Sequence, residues 1–182
     1  MTSQRPLRVD AQRNRSALLN AGAQLVAIYG AELPFEEVAR AAGVGKGTLY
    51  RHFATRDHLI AAVLRERFDG LAAEANELLD SGSAHAVETW LRSFDRVPTR
   101  FRGLGAMLSA ALVDDASAVS AACIPMKVAF SRLLGRAQRD GTVRTNLHPV
   151  ELLSVVAALP ESVRNDDGSS RYLDVLLRGL RP

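Results

Sequence analysis

Apolar residues recur three or four positions apart along almost the whole chain, and strand-type alternation is scarce. In "RNRSALLNAGAQLVAIYG" (13–30), Leu18, Ala21, Leu25 and Ile28 form one helical face, and Gly30 is a natural C-terminal stop. "PFEEVARAAG" (34–43) reads as a short helix with Pro34 near its first turn. Glu36 and Glu37 sit at the positive end of its dipole, and Gly43 closes it. "GKGTLYRHF" (45–53) is a second short helix whose buried face is Leu49 and Phe53.

A long helix follows from Thr55 to about Asp80, capped by Thr55, with Asp57 in its first turn. Ile60, Val63, Phe68, Leu71, Ala75 and Leu78 hold the helical period. About 25 residues at 1.5 Å each span roughly 38 Å, enough to reach from one small domain into another. "DSGSAH" interrupts the pattern, and further helices are predicted over 84–97, 101–113, 116–140, 148–160 and 170–181. Pro125 falls inside the third of these and predicts a kink or a split. The expected fold class is all-α. A helix-turn-helix head over 10–70 follows a basic arm over 1–9 and precedes a helical body over 71–182.

At 182 residues, with 47% hydrophobic and 24% charged, the balance is that of an ordinary globular chain able to bury a sizeable core. No stretch approaches the roughly 18 apolar residues of a membrane span, and no apolar run of signal-peptide length follows the N-terminus, so a cytoplasmic chain is expected. The single Cys123 excludes an intramolecular disulfide, and the four scattered His offer no zinc spacing, so neither metal nor cofactor is called for. The net charge of +3 is unevenly spread. Residues 1–56 carry eight Arg or Lys against four Asp or Glu, whereas the remainder carries fifteen against sixteen. The first third is therefore where a polyanion would bind.

Two helices joined by a tight glycine turn define a helix-turn-helix, whose second helix can lie in a DNA major groove. Ala39 where the helices cross, Gly43 at the turn and Leu49 as anchor stand at the required spacing. Lys46, Thr48, Tyr50, Arg51 and His52 are then left mostly off the buried face. Lys and Arg neutralise phosphates, while Thr, Tyr and His donate to phosphates or reach base edges. Gly45 and Gly47 lack side chains, so backbone N–H groups there can approach a phosphate closely. Blander readings stand beside these: Tyr50 as a packing residue, His52 as a helix-end histidine, Arg51 as a solvated or ion-paired arginine. "GVGKGT" does not make a nucleotide-binding loop, because position 40 is Arg rather than Gly and Lys46 is followed by Gly47.

Residues 10 to about 70 resemble the DNA-binding domain of the TetR family of one-component bacterial transcriptional regulators. The stretch "EEVARAAGVGKGTLYRHFATRDHLIAAVL" (36–64) is similar to the family's helix-turn-helix and the start of its connecting helix. The resemblance implies that Lys46, Thr48, Tyr50 and His52 line the recognition helix and that Arg56 meets the DNA backbone. Two departures stand out: Leu33-Pro34-Phe35 replaces the usual Ser or Thr cap, where Phe35 can staple the turn, and Gly45 replaces a frequent Ser. "LLGRAQRDGTVRTNLHPVELL" (133–153) is also family-like.

For the body, the resemblance implies a pocket for a small-molecule effector of unknown identity. Trp90, Phe94, Phe101, Met107, Cys123, Met126 and Phe130 are its candidate lining, the alternative being ordinary core. It also implies a homodimer interface built by the last two helices, with Leu152, Val156, Leu159, Leu173, Leu176, Leu177 and Leu180 as candidates. Their alternative is internal packing, but so apolar a terminal helix has little of its own chain left to cover it. The expected partners are a double-stranded DNA operator, the effector and a second copy, with no membrane. The expected function is a ligand-responsive repressor acting on a palindromic operator. An enzyme finds no support, since no catalytic constellation is visible. A helical adaptor with a non-specific basic head is the remaining alternative.

Overall fold

The structure is a computed structural model and describes residues 4–97, 103–114, 116–160 and 170–181, with side chains from Val9 onward. Among these residues the regular elements are helical: α1 (Gln4–Tyr29), a 3-10 turn (Gly30–Glu32), α2 (Phe35–Ala41), α3 (Lys46–His52), α4 (Arg56–Ser81), α5 (Ala86–Asp95), α6 (Leu104–Val113), α7 (Ala118–Arg139), α8 (Pro149–Ala157) and α9 (Arg171–Arg178). The all-α expectation holds. Residues 4–9, expected as a separate arm, continue α1; Pro6 lies in its first turn, where a missing N–H has no intrahelical partner to lose.

The first three helices and the start of α4 close around Leu18, Val26, Leu33, Val38, Leu49, Phe53 and Leu59, all buried. A Cβ on Gly22 would lie 3.0 Å from a Leu59 methyl, so the glycine lets α1 and α4 approach closely. Ile28, expected on the inner face of α1, is 60% exposed, and Val26 is buried instead. Leu25, Val26 and Ile28 are all apolar, so periodicity alone does not choose among them. The α2–α3 turn is a Schellman motif. Val44 N–H donates to Ala39 C=O (3.0 Å) and Gly43 N–H to Arg40 C=O (3.1 Å), with Gly43 in the left-handed region at φ 67°.

Thr55 caps α4 as expected, its hydroxyl accepting from His58 N–H at 3.3 Å. α4 then packs along α7, the most extensive helix pair of the fold. α7 runs unbroken through Pro125, correcting the expected split. Pro125 and Ala121, whose carbonyl loses its helical donor, are both on exposed residues, where water can take that donor's place. By length and hydropathy α7 would also suit a membrane span. Its inner face, however, is committed to the protein core through Ala122, Cys123, Met126, Phe130, Leu133 and Leu134.

α9 is folded back onto the body. The buried Asp95 carboxylate accepts from Ser170 N–H (2.8 Å) at the start of α9, and Arg92 bridges Glu88 (3.0 Å) and Asp174 (2.8 Å). At its other end, Arg144 donates from its backbone to Leu180 C=O (2.9 Å) and from its guanidinium to Arg181 C=O (3.1 Å).

Candidate nucleic-acid interface

α3 is amphipathic with a narrow buried face. Leu49 is fully buried, and Phe53, just past the helix end, is nearly so, with the Arg15 guanidinium 5.4 Å from the centre of its ring. Lys46, Gly47, Tyr50 and Arg51 are exposed, and Thr48 and His52 are half-buried, so all the residues assigned to DNA except Arg56, at the start of α4, lie on one short helix. The Tyr50 ring meets Phe35 edge-on (centroids 5.4 Å, 83° between planes) yet remains 48% exposed. Packing therefore orients this side chain without consuming it. Pro34 caps α2 with no side-chain bond, and the Phe35–Tyr50 contact spans the turn in its place.

The glycines at the start of α3 have no internal reason to be glycine. Gly45 has an ordinary extended backbone at φ −71°, and a Cβ on either Gly45 or Gly47 would meet nothing of the chain within 4 Å. Gly47 costs the helix about 1 kcal/mol relative to alanine. The open space lies outside the chain.

The charges around α3 are more compensated than composition suggests. Lys46 is ion-paired with Glu36, and Arg40 with Glu37. In each pair the hydrogen bond and charge of the glutamate raise the pKa of the cation. Arg56 donates to Ala31 C=O (3.2 Å) and lies 3.5 Å from Glu32, which ties the start of α4 to the 3-10 turn. Arg51 is exposed and forms no ion pair among the described residues. Sequence reasoning missed these glutamate partners, since Glu36 and Lys46 are ten residues apart and meet only because the turn brings α2 beside α3.

In the body, Trp90, Phe94, Cys123, Met126 and Phe130 are fully buried and Met107 is half-buried; Phe101 lies outside the described residues. Trp90 stacks on Phe130 (4.4 Å) and Phe94 (5.5 Å), and its indole N–H donates to Leu71 C=O at 2.8 Å. Burial pushes the Cys123 thiol up to about 12, so it stays protonated and inert. A cleft of about 530 Å³ lies beside this cluster rather than inside it, between α4 and α5. Its walls carry Glu66, Arg67, Leu71 and Glu74 from α4, Ser93 from α5, and Arg96 and Val97 from the turn that follows α5. The Ser93 hydroxyl donates to Glu74 at 2.7 Å.

Of the residues expected at a dimer interface, Leu152, Val156, Leu173, Leu177 and Leu180 are buried within the chain, and Leu159 and Leu176 are half-buried. The reason is that α9 returns onto α5 and α8 packs against α6, α5 and α7, which covers the apolar residues that the pattern left without a partner. The apolar side chains that do face outward here are Val155 on α8 (50% exposed) and Tyr172 and Val175 on α9 (46% and 70%). Tyr172, Val175 and Leu176 stand at i, i+3 and i+4, a stripe visible in the sequence but indistinguishable there from the inward one.

Residues 18–63 match the family model described as bacterial regulatory proteins, tetR family. Residues 82–182 match the one described as transcriptional regulator SbtR-like, C-terminal domain. Among solved structures, the chain is similar to the TetR transcription regulatory protein from Mycobacterium vanbaalenii. That likeness has 31% identity and a TM-score of 0.54, covering 97% of this chain and 100% of the other. It is also similar to the TetR transcriptional regulator SCO0520 from Streptomyces coelicolor, with 29% identity and a TM-score of 0.57, over 92% of this chain and 98% of that one.

Proposed function

The chain belongs to the TetR family of bacterial regulatory proteins, non-enzymatic DNA-binding transcription factors, and from that premise we propose a ligand-responsive repressor that binds a near-palindromic operator as a homodimer. The observation that carries the operator reading is the outer side of α3. It gathers Lys46, Thr48, Tyr50, Arg51 and His52 beside two glycines whose missing side chains leave space only for something outside the chain. Tyr50 and Thr48 read bases, Lys46, Arg51 and Arg56 meet phosphates, and His52 borders the same groove.

Selection of bound sequences from a random double-stranded DNA pool tests this reading. A recovered palindrome supports it, and salt-sensitive binding without sequence preference overturns it. With the operator in hand, Tyr50→Ala is expected to weaken binding by about tenfold or more, the scale of one base contact. Tyr50→Phe keeps the ring against Phe35 and removes only the hydroxyl, so comparing the two separates hydrogen bonding from packing. Unchanged operator affinity in Tyr50→Ala would remove Tyr50 from the interface.

The effector docks in the α4–α5 cleft, with the aromatic cluster as its supporting wall. α4 carries the cleft on its middle turns and Arg56 at its start, so a ligand that favours one separation of α4 and α5 also favours one placement of α3. About 1.4 kcal/mol of such preference changes operator affinity tenfold. Trp90 is the only tryptophan and bonds the Leu71 carbonyl in the cleft wall, so a true effector is expected to shift its emission. A compound that releases the operator and leaves the emission unmoved would place the effector elsewhere.

A further inference from the structure

We infer that Glu36 sets the DNA affinity of this protein by holding Lys46 in the free state and surrendering it to a backbone phosphate on binding; the inference rests on Lys46 contacting DNA. Lys46 is the first residue of α3, at the positive end of the helix dipole, where a cation is disfavoured. The Glu36 carboxylate on α2 is its partner, and both side chains remain more than half exposed, at 64% for Lys46 and 52% for Glu36.

This pair does not hold the two helices together. Val38, Ala39 and Leu49 are buried between them, the Schellman turn fixes their angle, and an ion pair this open to solvent adds little stability. Its weight falls on binding instead. A phosphate reaching Lys46 must displace Glu36 or accept a carboxylate beside it. Either way the free protein carries a built-in competitor for the DNA backbone.

Counterions give the hand-over a signature that simple repulsion lacks. A lysine that meets a phosphate from open solvent releases about one counterion, so deleting it lowers the salt slope of binding by about one. A lysine taken from Glu36 leaves behind a bare carboxylate that gathers a cation, and the net release is smaller. Lys46→Ala is therefore expected to lower the slope by clearly less than one in the otherwise natural protein, and by close to one in the Glu36→Gln background.

The test is a double-mutant cycle on the operator duplex recovered above, with affinities measured at several salt concentrations. Circular dichroism confirms that all four proteins fold. Glu36→Gln is expected to tighten binding at low salt, and Lys46→Ala to weaken it by a further two- to fivefold in the Glu36→Gln background, the range for exposed pairs. If Lys46→Ala weakens binding equally in both backgrounds with equal slope changes, Glu36 only repels DNA at a distance and the hand-over is overturned while the Lys46 contact stands. If Lys46→Ala changes neither affinity nor slope in either background, the contact and the hand-over fall together.

Discussion

Trp90→Ala is expected to lower the unfolding free energy by about 3–5 kcal/mol, the cost of replacing a large buried aromatic with alanine. The ring is fully buried, stacked between Phe94 and Phe130, and bonded through its N–H to the Leu71 carbonyl, so one side chain joins α5, α7 and α4. Removing it leaves a cavity at the junction of three helices whose own packing restrains collapse. Against a typical total of about 5–15 kcal/mol, such a loss is readily measured by denaturant unfolding followed by circular dichroism. Trp90→Phe keeps most of the stacking and is expected to lose much less. A loss below about 1 kcal/mol in Trp90→Ala would mean that the cluster rearranges easily, and an effector site inside it would then displace the α4–α5 cleft.

The second large effect concerns assembly. With the proposed homodimer assigned to the exposed stripe of α9, Val175→Asp is expected to leave the monomer folded, because the side chain is 70% exposed, and to dissociate that dimer. In a two-fold interface the substitution enters twice, and each copy desolvates a carboxylate next to Tyr172 and Leu176. Even about 1.4 kcal/mol per copy weakens dimerisation roughly a hundredfold. Operator affinity is expected to fall with it, since each half-site would then be held alone. Light scattering and operator titration on the same preparation check both. A variant that stays dimeric would move the interface off α9. A natural protein found to be monomeric would favour a helical adaptor over the dimeric repressor.

Much of the candidate interface on α3 was legible in the sequence. The Ala39, Gly43 and Leu49 spacing dictates a helix-turn-helix, because only small residues allow the helices to cross and only glycine readily takes the left-handed turn. Once Leu49 and Phe53 are turned inward, the exposure of Lys46, Tyr50 and Arg51 follows from the helical period. The partners of those residues were not legible. The Glu36–Lys46 pair and the Phe35–Tyr50 contact join residues ten and fifteen positions apart, and neither has a periodic signature.

The sequence by itself determined the helices, the turn and the chemistry presented on α3, because each depends on local backbone preference and on which residue types fall on one helical face. Tertiary structure alone decided which apolar face of α8 and α9 is covered, and whether the aromatic residues enclose a cavity or fill it. Leu173 and Val175 are both apolar and stand two residues apart in the same helix. The anchoring of α9 at both ends, through Asp95 to Ser170, Arg92 to Asp174 and Arg144 to Leu180, buries the first and leaves the second exposed. Hydrophobicity drives burial without specifying a partner, so the choice among equally apolar faces belongs to the directional bonds that long-range packing brings together.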